Sequence, residues 1–107
     1  MITPQQIIDI SSYLSKIHHI KGRLRLRVSP KIKEQSNVVT LHDIKRLPEQ
    51  INGIKGIKIN KIIGSITIDY DHTIFPYELW EDLLNQRNLE TISQLLNELS
   101  KEVITNG

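Results

Sequence analysis

Four side chains at the ends of expected strands could hold a metal ion or a haem iron: His18, His19, His72 and Asp71. Imidazole and carboxylate donors suit Zn, Fe(II) or Ni, and an imidazole also serves as an axial haem ligand. His18 and His19 stand at the head of a run that alternates apolar and polar residues. As neighbours on a strand they point to opposite faces, so the pair cannot chelate one ion. If the segment ending at Asp71 runs antiparallel to that strand, parity puts His18 on one face with Tyr70 and His72, and His19 on the other with Asp69 and Asp71. The competing reading is that these are solvated residues at strand ends. His42, in the first turn of an expected helix, should be exposed. The chain has no cysteine, which removes disulfides, thiolate metal sites and thiol nucleophiles together.

The second chemical feature is a row of cations. Ile20, Gly22, Leu24, Leu26 and Val28 alternate with Lys21, Arg23, Arg25 and Arg27, the period of a half-buried strand. A helix would gain no coherent apolar face from this pattern. One side of the strand is therefore strongly cationic, with Lys58 and Asn60 of a later strand expected to continue that face. Asp69 and carboxylates of the C-terminal segment should answer part of the charge. If the last helix folds over this face, the row is structural; if not, the face meets an acidic protein, an anionic lipid or a nucleic acid. The outward strand positions are Arg, Lys, Thr, Asn and Asp, with no aromatic ring on which a base could stack, so nucleic acid is not an expected partner. No serine sits in a nucleophile elbow and no glycine-rich loop opens a helix for phosphate. Asp69 and Asp71 share one strand face, which is weak support for acid–base work. The expectation is a protein without enzymatic activity.

With 107 residues the chain should fold as a single domain, residues 1–107. One Trp, one Phe and three Tyr leave the core to Ile and Leu. The net charge of +2 hides an asymmetry: residues 1–68 hold twelve Lys/Arg against four Asp/Glu, and residues 69–107 hold two against eight. No apolar run approaches the roughly 18–20 residues that span a bilayer, and MITPQQIIDISS lacks the basic-then-apolar order of a signal peptide. The chain is thus expected not to be an integral membrane protein, and to be soluble and cytoplasmic.

The elements that must position these residues can be read in order. Thr3, Pro4 and Gln6 form the signature of a helix start, with an N-terminal helix inside residues 1–15. The cationic strand follows and ends at Ser29-Pro30. Residues 31–39 have no period and suggest a loop or an irregular helical turn. Thr40 with Asp43 opens a helix carrying Leu41, Ile44, Leu47 and Ile51, in which Pro48 should force a restart near Leu47. Asn52-Gly53 supplies a left-handed stop. Ile57 and Ile59, a turn at Lys61–Gly64, and Ile66, Ile68 and Tyr70 form a hairpin. Helices over Pro76–Asn85 and Leu89–Val103 complete the chain, the second with Asn88 as its cap.

Helix, strand, helix, strand, strand, helix, helix is an α+β order. Its middle makes a split βαβ unit, the ferredoxin-like core over residues 16–85, with an antiparallel sheet of three strands and a further helix in residues 86–107. Without a fourth strand the first one keeps a free edge, which invites a homodimer or a partner's strand or helix. The segments HHIKGRLRLRV and INGIKGIKINKIIGSITIDYD resemble the heavy-metal-associated domain superfamily over residues 17–85, in a cysteine-free branch. Where metal-binding members carry CxxC after the first strand, this chain has Ser29-Pro30-Lys31-Ile32, so no ligand transfers from that motif. The resemblance implies the fold and an accessory, binding or interaction role in transition-metal transport or storage, iron included. It also implies a partner such as a P-type metal ATPase, while the cationic face and free edge allow self-association instead. The interaction face so defined is Lys21, Arg23, Arg25, Arg27 and Lys58; the alternative is direct binding of a metal ion or haem by His18, His19, His72 and Asp71.

Overall fold

The structure is a computed structural model that describes residues 3–34 and 41–101. The cap expected at Thr40, the stretch 35–39 and Val103 lie outside them. Helix α1 (Pro4–Ser11) starts as its sequence dictates. Thr3 Oγ1 accepts from Gln6 N at 3.1 Å and Gln6 Oε1 accepts from Thr3 N at 2.8 Å, so two orphan helix donors are satisfied reciprocally. Thr3→Ala should cost about 1 kcal/mol, read as a lower urea midpoint at unchanged slope.

The cationic segment is not one strand but a hairpin. Strands β1 (Leu14–Ile20) and β2 (Arg23–Val28) pair antiparallel about Lys21-Gly22, with Ile20 opposite Arg23. Gly22 has φ +95, a conformation costly for other residues. The alternation that reads as one strand conceals this turn, because Gly22 happens to fall on an apolar-side position. After a 3-10 turn (Pro30–Glu34) come α2 (Leu41–Lys45) and α3 (Leu47–Gln50), with the restart at Leu47 that Pro48 imposes. Strands β3 (Ile54–Asn60) and β4 (Ser65–Tyr70) form the second hairpin, and α4 (Tyr77–Leu84) and α5 (Leu89–Leu99) follow.

The sheet therefore has four antiparallel strands, in the order β1-β2-β4-β3, and the expected count of three is corrected. β2 and β3 both pair antiparallel with β4 and are joined through α2 and α3, which is the split βαβ core. The place beside β2 that the sequence reading left vacant is filled by β1, from the N-terminal side of the core. The edge expected to receive a partner is thus closed by the chain itself. The true edges are β1 and β3. Each carries an irregularity, between Lys16 and His18 and between Ile54 and Gly56, and each carries lysine, Lys16 on β1 and Lys55 and Lys58 on β3, features that hinder strand addition.

One face of the sheet is the core face. Leu24 and Leu26 lie opposite Ile68 and Ile66, which lie opposite Ile57 and Ile59. Ile7 and Ile8 of α1, Ile44 of α2, Leu47 of α3, Trp80 and Leu83 of α4, and Ile92 and Leu96 of α5 join the same cluster. The last helix consequently packs with the others and leaves the opposite face open. Its end is fixed by Asn52 N donating to Leu99 O at 2.7 Å and Lys101 N donating to Gln50 O at 2.7 Å. Asn88 stands at the N-cap position of α5 but does not cap it with its side chain: its backbone is left-handed, at φ 51, and its Nδ2 donates to Asp82 Oδ2 at 3.1 Å.

Candidate functional site

On the open face, neighbouring strands place their residues in three rows. Nearest the β3–β4 turn lie Asn60, Ser65, Arg27 and Ser15; next come Lys58, Thr67, Arg25 and His18; last come Gly56, Asp69, Arg23 and Ile20. Arg23, Arg25, Arg27 and Lys58 are all exposed. Arg23 Nε donates to Asp69 Oδ1 at 2.9 Å, and both groups are open to solvent. Asp69 is the sole carboxylate on the four strands. Arg25, Arg27 and Lys58 form no ion pair among the described residues. Lys21 lies in the turn and not on the strand, a correction that follows from the hairpin. Among the described residues, the carboxylates of the acidic C-terminal segment after Asp69 do not answer the arginines of this face: Glu81 instead meets Lys16 and His19.

That second cluster was not legible in the sequence. His19 lies opposite Leu24 on the core face, and its side chain is 1% exposed. Its Nδ1 is 2.6 Å from Glu81 Oε2, its Nε2 is 2.7 Å from the Tyr70 hydroxyl, and its ring stacks on Tyr77 at 3.9 Å and 10°. Nδ1 donates to the ionised Glu81 carboxylate, and Nε2 and the Tyr70 hydroxyl share the second hydrogen bond. Burial pushes the Tyr70 hydroxyl up. The same burial pushes Glu81 up, but hydrogen bonds from His19 and Lys16 outweigh it and hold that carboxyl below its ordinary value. The irregularity in β1 explains how Lys16 joins. It leaves Ile17 out of the pairing and sets Lys16 opposite Leu26, on the side from which its Nζ reaches Glu81 Oε1 at 2.9 Å. The available signal was Tyr77 and Glu81, four residues apart on one helix face, but only the position of β1 gives them a partner.

The histidine parity is reversed relative to the sequence reading. A two-residue turn makes Ile20 and Arg23 face each other, so His18 lands on the open face opposite Arg25, and His19 shares its face with Tyr70, not with Asp69 and Asp71. His19 has no free ring nitrogen with which to ligate a metal ion or a haem iron. Asp71 accepts from Thr73 N at 2.9 Å and Thr73 Oγ1 at 2.6 Å, bonds that hold its carboxyl below the ordinary value. His72 is exposed, as is His42. Among the described residues no group of three or more His, Cys, Asp or Glu is disposed to hold a metal ion.

An apolar cavity of about 40 Å³ lies between α1, α4 and the sheet, lined among others by Ile7, Leu14, Leu26, Trp80 and Leu84. That is space for about one water molecule, not for an organic ligand. No helix among the described residues is long and apolar enough to cross a membrane.

Comparison with curated proteins and with solved structures yields no match. Residues 6–103 do match the model of the family described as Heavy metal associated domain 2. The match runs from α1 through α5, taking in the outer strand β1 as well as the split βαβ core. Its sheet, its order of elements and its cysteine-free strand ends all lie within that span, and the chain belongs to the Heavy metal associated domain 2 family.

Proposed function

We propose that the chain is a non-enzymatic interaction module serving transition-metal transport or storage, and that it docks through its open cationic sheet face on an acidic protein surface. The observation that carries this reading is the set Arg25, Arg27 and Lys58: exposed, adjacent across three strands, on a face that no described helix covers. The cations lie in a fixed array on a sheet, which suits recognition of a fixed acidic array better than it suits general solubility. Family membership supplies the metal context, and the resemblance supplies the partner class, a cytosolic domain of a P-type metal ATPase. His19 is engaged on both sides of its ring, which directs the reading to contact with a partner and away from carriage of an ion.

The test is a calorimetric titration of the chain against the cytosolic domains of a P-type metal ATPase from the same host. Arg25→Glu/Arg27→Glu should weaken binding at least tenfold, through reversed charge at the interface, and raised salt should weaken the unmodified pair. The thermal midpoint of the variant should hardly move, since exposed charges away from a network change stability by less than about 0.5 kcal/mol. Binding that ignores both the charge reversal and the salt, or no binding at all, would overturn the proposal.

A further inference from the structure

The turn between β3 and β4 holds isoleucine in water. Ile62 is 97% exposed and Ile63 is 54% exposed, at a place where Gly, Asn, Asp and Ser are the ordinary residues. The turn itself is well built. Asn60 Oδ1 accepts from Ile62 N and from Ile63 N, each at 3.1 Å, and Gly64 N donates to Asn60 O at 2.8 Å. Val28 N donates to Gly64 O at 2.8 Å, which ties the turn to β2 as well. The backbone is therefore pinned from two strands while both apolar side chains project outward.

Among the described side chains, the charges around this tip are of one sign. Lys61 is in the turn, Arg27 is in the first row behind it, and Arg25 and Lys58 are in the second; all four are exposed. Asp69 lies in the row farthest from the tip and is held by Arg23. An apolar point inside a cationic collar matches the boundary of an anionic bilayer, where alkyl groups enter the acyl region and ammonium and guanidinium groups stay with the phosphates.

We propose that the β3–β4 tip is a membrane-docking point that inserts Ile62 and Ile63 into a bilayer containing anionic phospholipid, with Lys61, Lys58 and Arg27 on the headgroups. An acidic protein would satisfy the flat arginine rows, but it gives no reason for two isoleucines at the far end of a hairpin. Arg27 and Lys58 serve in both readings, but Ile62, Ile63 and Lys61, the residues changed in the test, are not used by the partner reading, so the two fail separately.

The test is partition of the whole chain onto vesicles of phosphatidylcholine with and without phosphatidylglycerol. Because the chain has no cysteine, Ile63→Cys labelled with an environment-sensitive fluorophore reports the tip alone. The expected result is binding to the anionic vesicles only, with a blue shift of the label. Ile62→Asp/Ile63→Asp should reduce partition at least tenfold at an unchanged thermal midpoint, and Lys61→Gln should reduce it about fivefold. The same variants should leave the titration with the ATPase domains unaltered. Vesicle binding that survives the double aspartate change, or a label that stays in water, overturns the proposal. So does a concentration-dependent dimer that forms without vesicles and is abolished by the double change, because the tip would then be covered by a second copy.

Discussion

Valine at position 53 is expected to cost the fold about 3–4 kcal/mol, a fall in thermal midpoint on the order of 15 °C for a domain of this size. Two independent causes add. Gly53 has φ +98, a left-handed conformation that a β-branched residue rarely adopts. A Cβ there would also lie 3.0 Å from Phe75 Cβ and 3.1 Å from Ile74 Cγ2, closer than packed carbons tolerate. Ile74 is 45% exposed and can shift, but Phe75 cannot yield easily. Phe75 is 1% exposed and stacks on Trp80 at 4.1 Å and 15°, while Gly53 O accepts from Asp71 N at 2.7 Å and so fixes where the chain leaves β4. That exit sets the start of α4, and hence the position of Tyr77 and Glu81 against His19. Gly56→Ala is the matched control: it has an ordinary φ and nothing within 4 Å of its added Cβ, so its effect should stay within about 0.5 kcal/mol. Equal midpoints for the two variants in a calorimetric scan would show that the 53–75 contact is not as tight as its distances imply.

What could be read in advance is what short-range physics determines. The capping box at Thr3, the restart at Leu47, the β3–β4 hairpin and the buried stripe of Ile92 and Leu96 each depend on residues within one turn or one strand of each other. The arginine row was legible for the same reason: Arg23, Arg25 and Arg27 alternate with Leu24 and Leu26, and no other element gives that pattern a stable home. The reading fails where a turn is disguised. Gly22 continues the alternation numerically, so the hairpin looked like one longer strand, and the error carried through to the strand count, the free edge and the faces of His18 and His19. LSKIHHI had little chance of being recognised as a strand, since its irregularity at Ile17 breaks the period and only Leu14 and His19 are even half-buried. Contacts across more than sixty residues, such as His19 to Glu81, leave no local trace at all. The isoleucines at the β3–β4 turn were visible as letters, but their meaning depends on how far the finished hairpin holds them from the core.

Alanine at position 19 should be the most damaging single change on the outer strand, at about 2–3 kcal/mol. It removes the ring stacked on Tyr77 and the shortest hydrogen bonds of the Tyr70 hydroxyl and Glu81 Oε2, leaving them the longer contacts to Ile20 O at 3.4 Å and Lys16 Nζ at 3.1 Å. Among the described contacts this cluster is what clasps β1 to α4, so amide exchange should accelerate along Leu14–Ile20 before it does so in β2 or β4. The clasp also has a pH signature with a definite sign. Glu81 has a folded pKa below its ordinary 4.5, so its contribution is fully present above that ordinary value and is lost as pH falls through the lower, folded one. The thermal midpoint of the unmodified chain should therefore drop more steeply below about pH 4.5 than that of Glu81→Gln, which has no carboxylate to protonate at this site. Parallel acid limbs in the two chains would mean that Glu81 is not held as the hydrogen bonds from His19 and Lys16 require. A loosened β1 uncovers the edge of β2, the strand that bears Arg23, Arg25 and Arg27, and an uncovered edge is where chains pair indiscriminately. The His19 clasp thus keeps the cationic face a defined surface, and the same variant should aggregate at concentrations where Arg25→Glu/Arg27→Glu remains monodisperse.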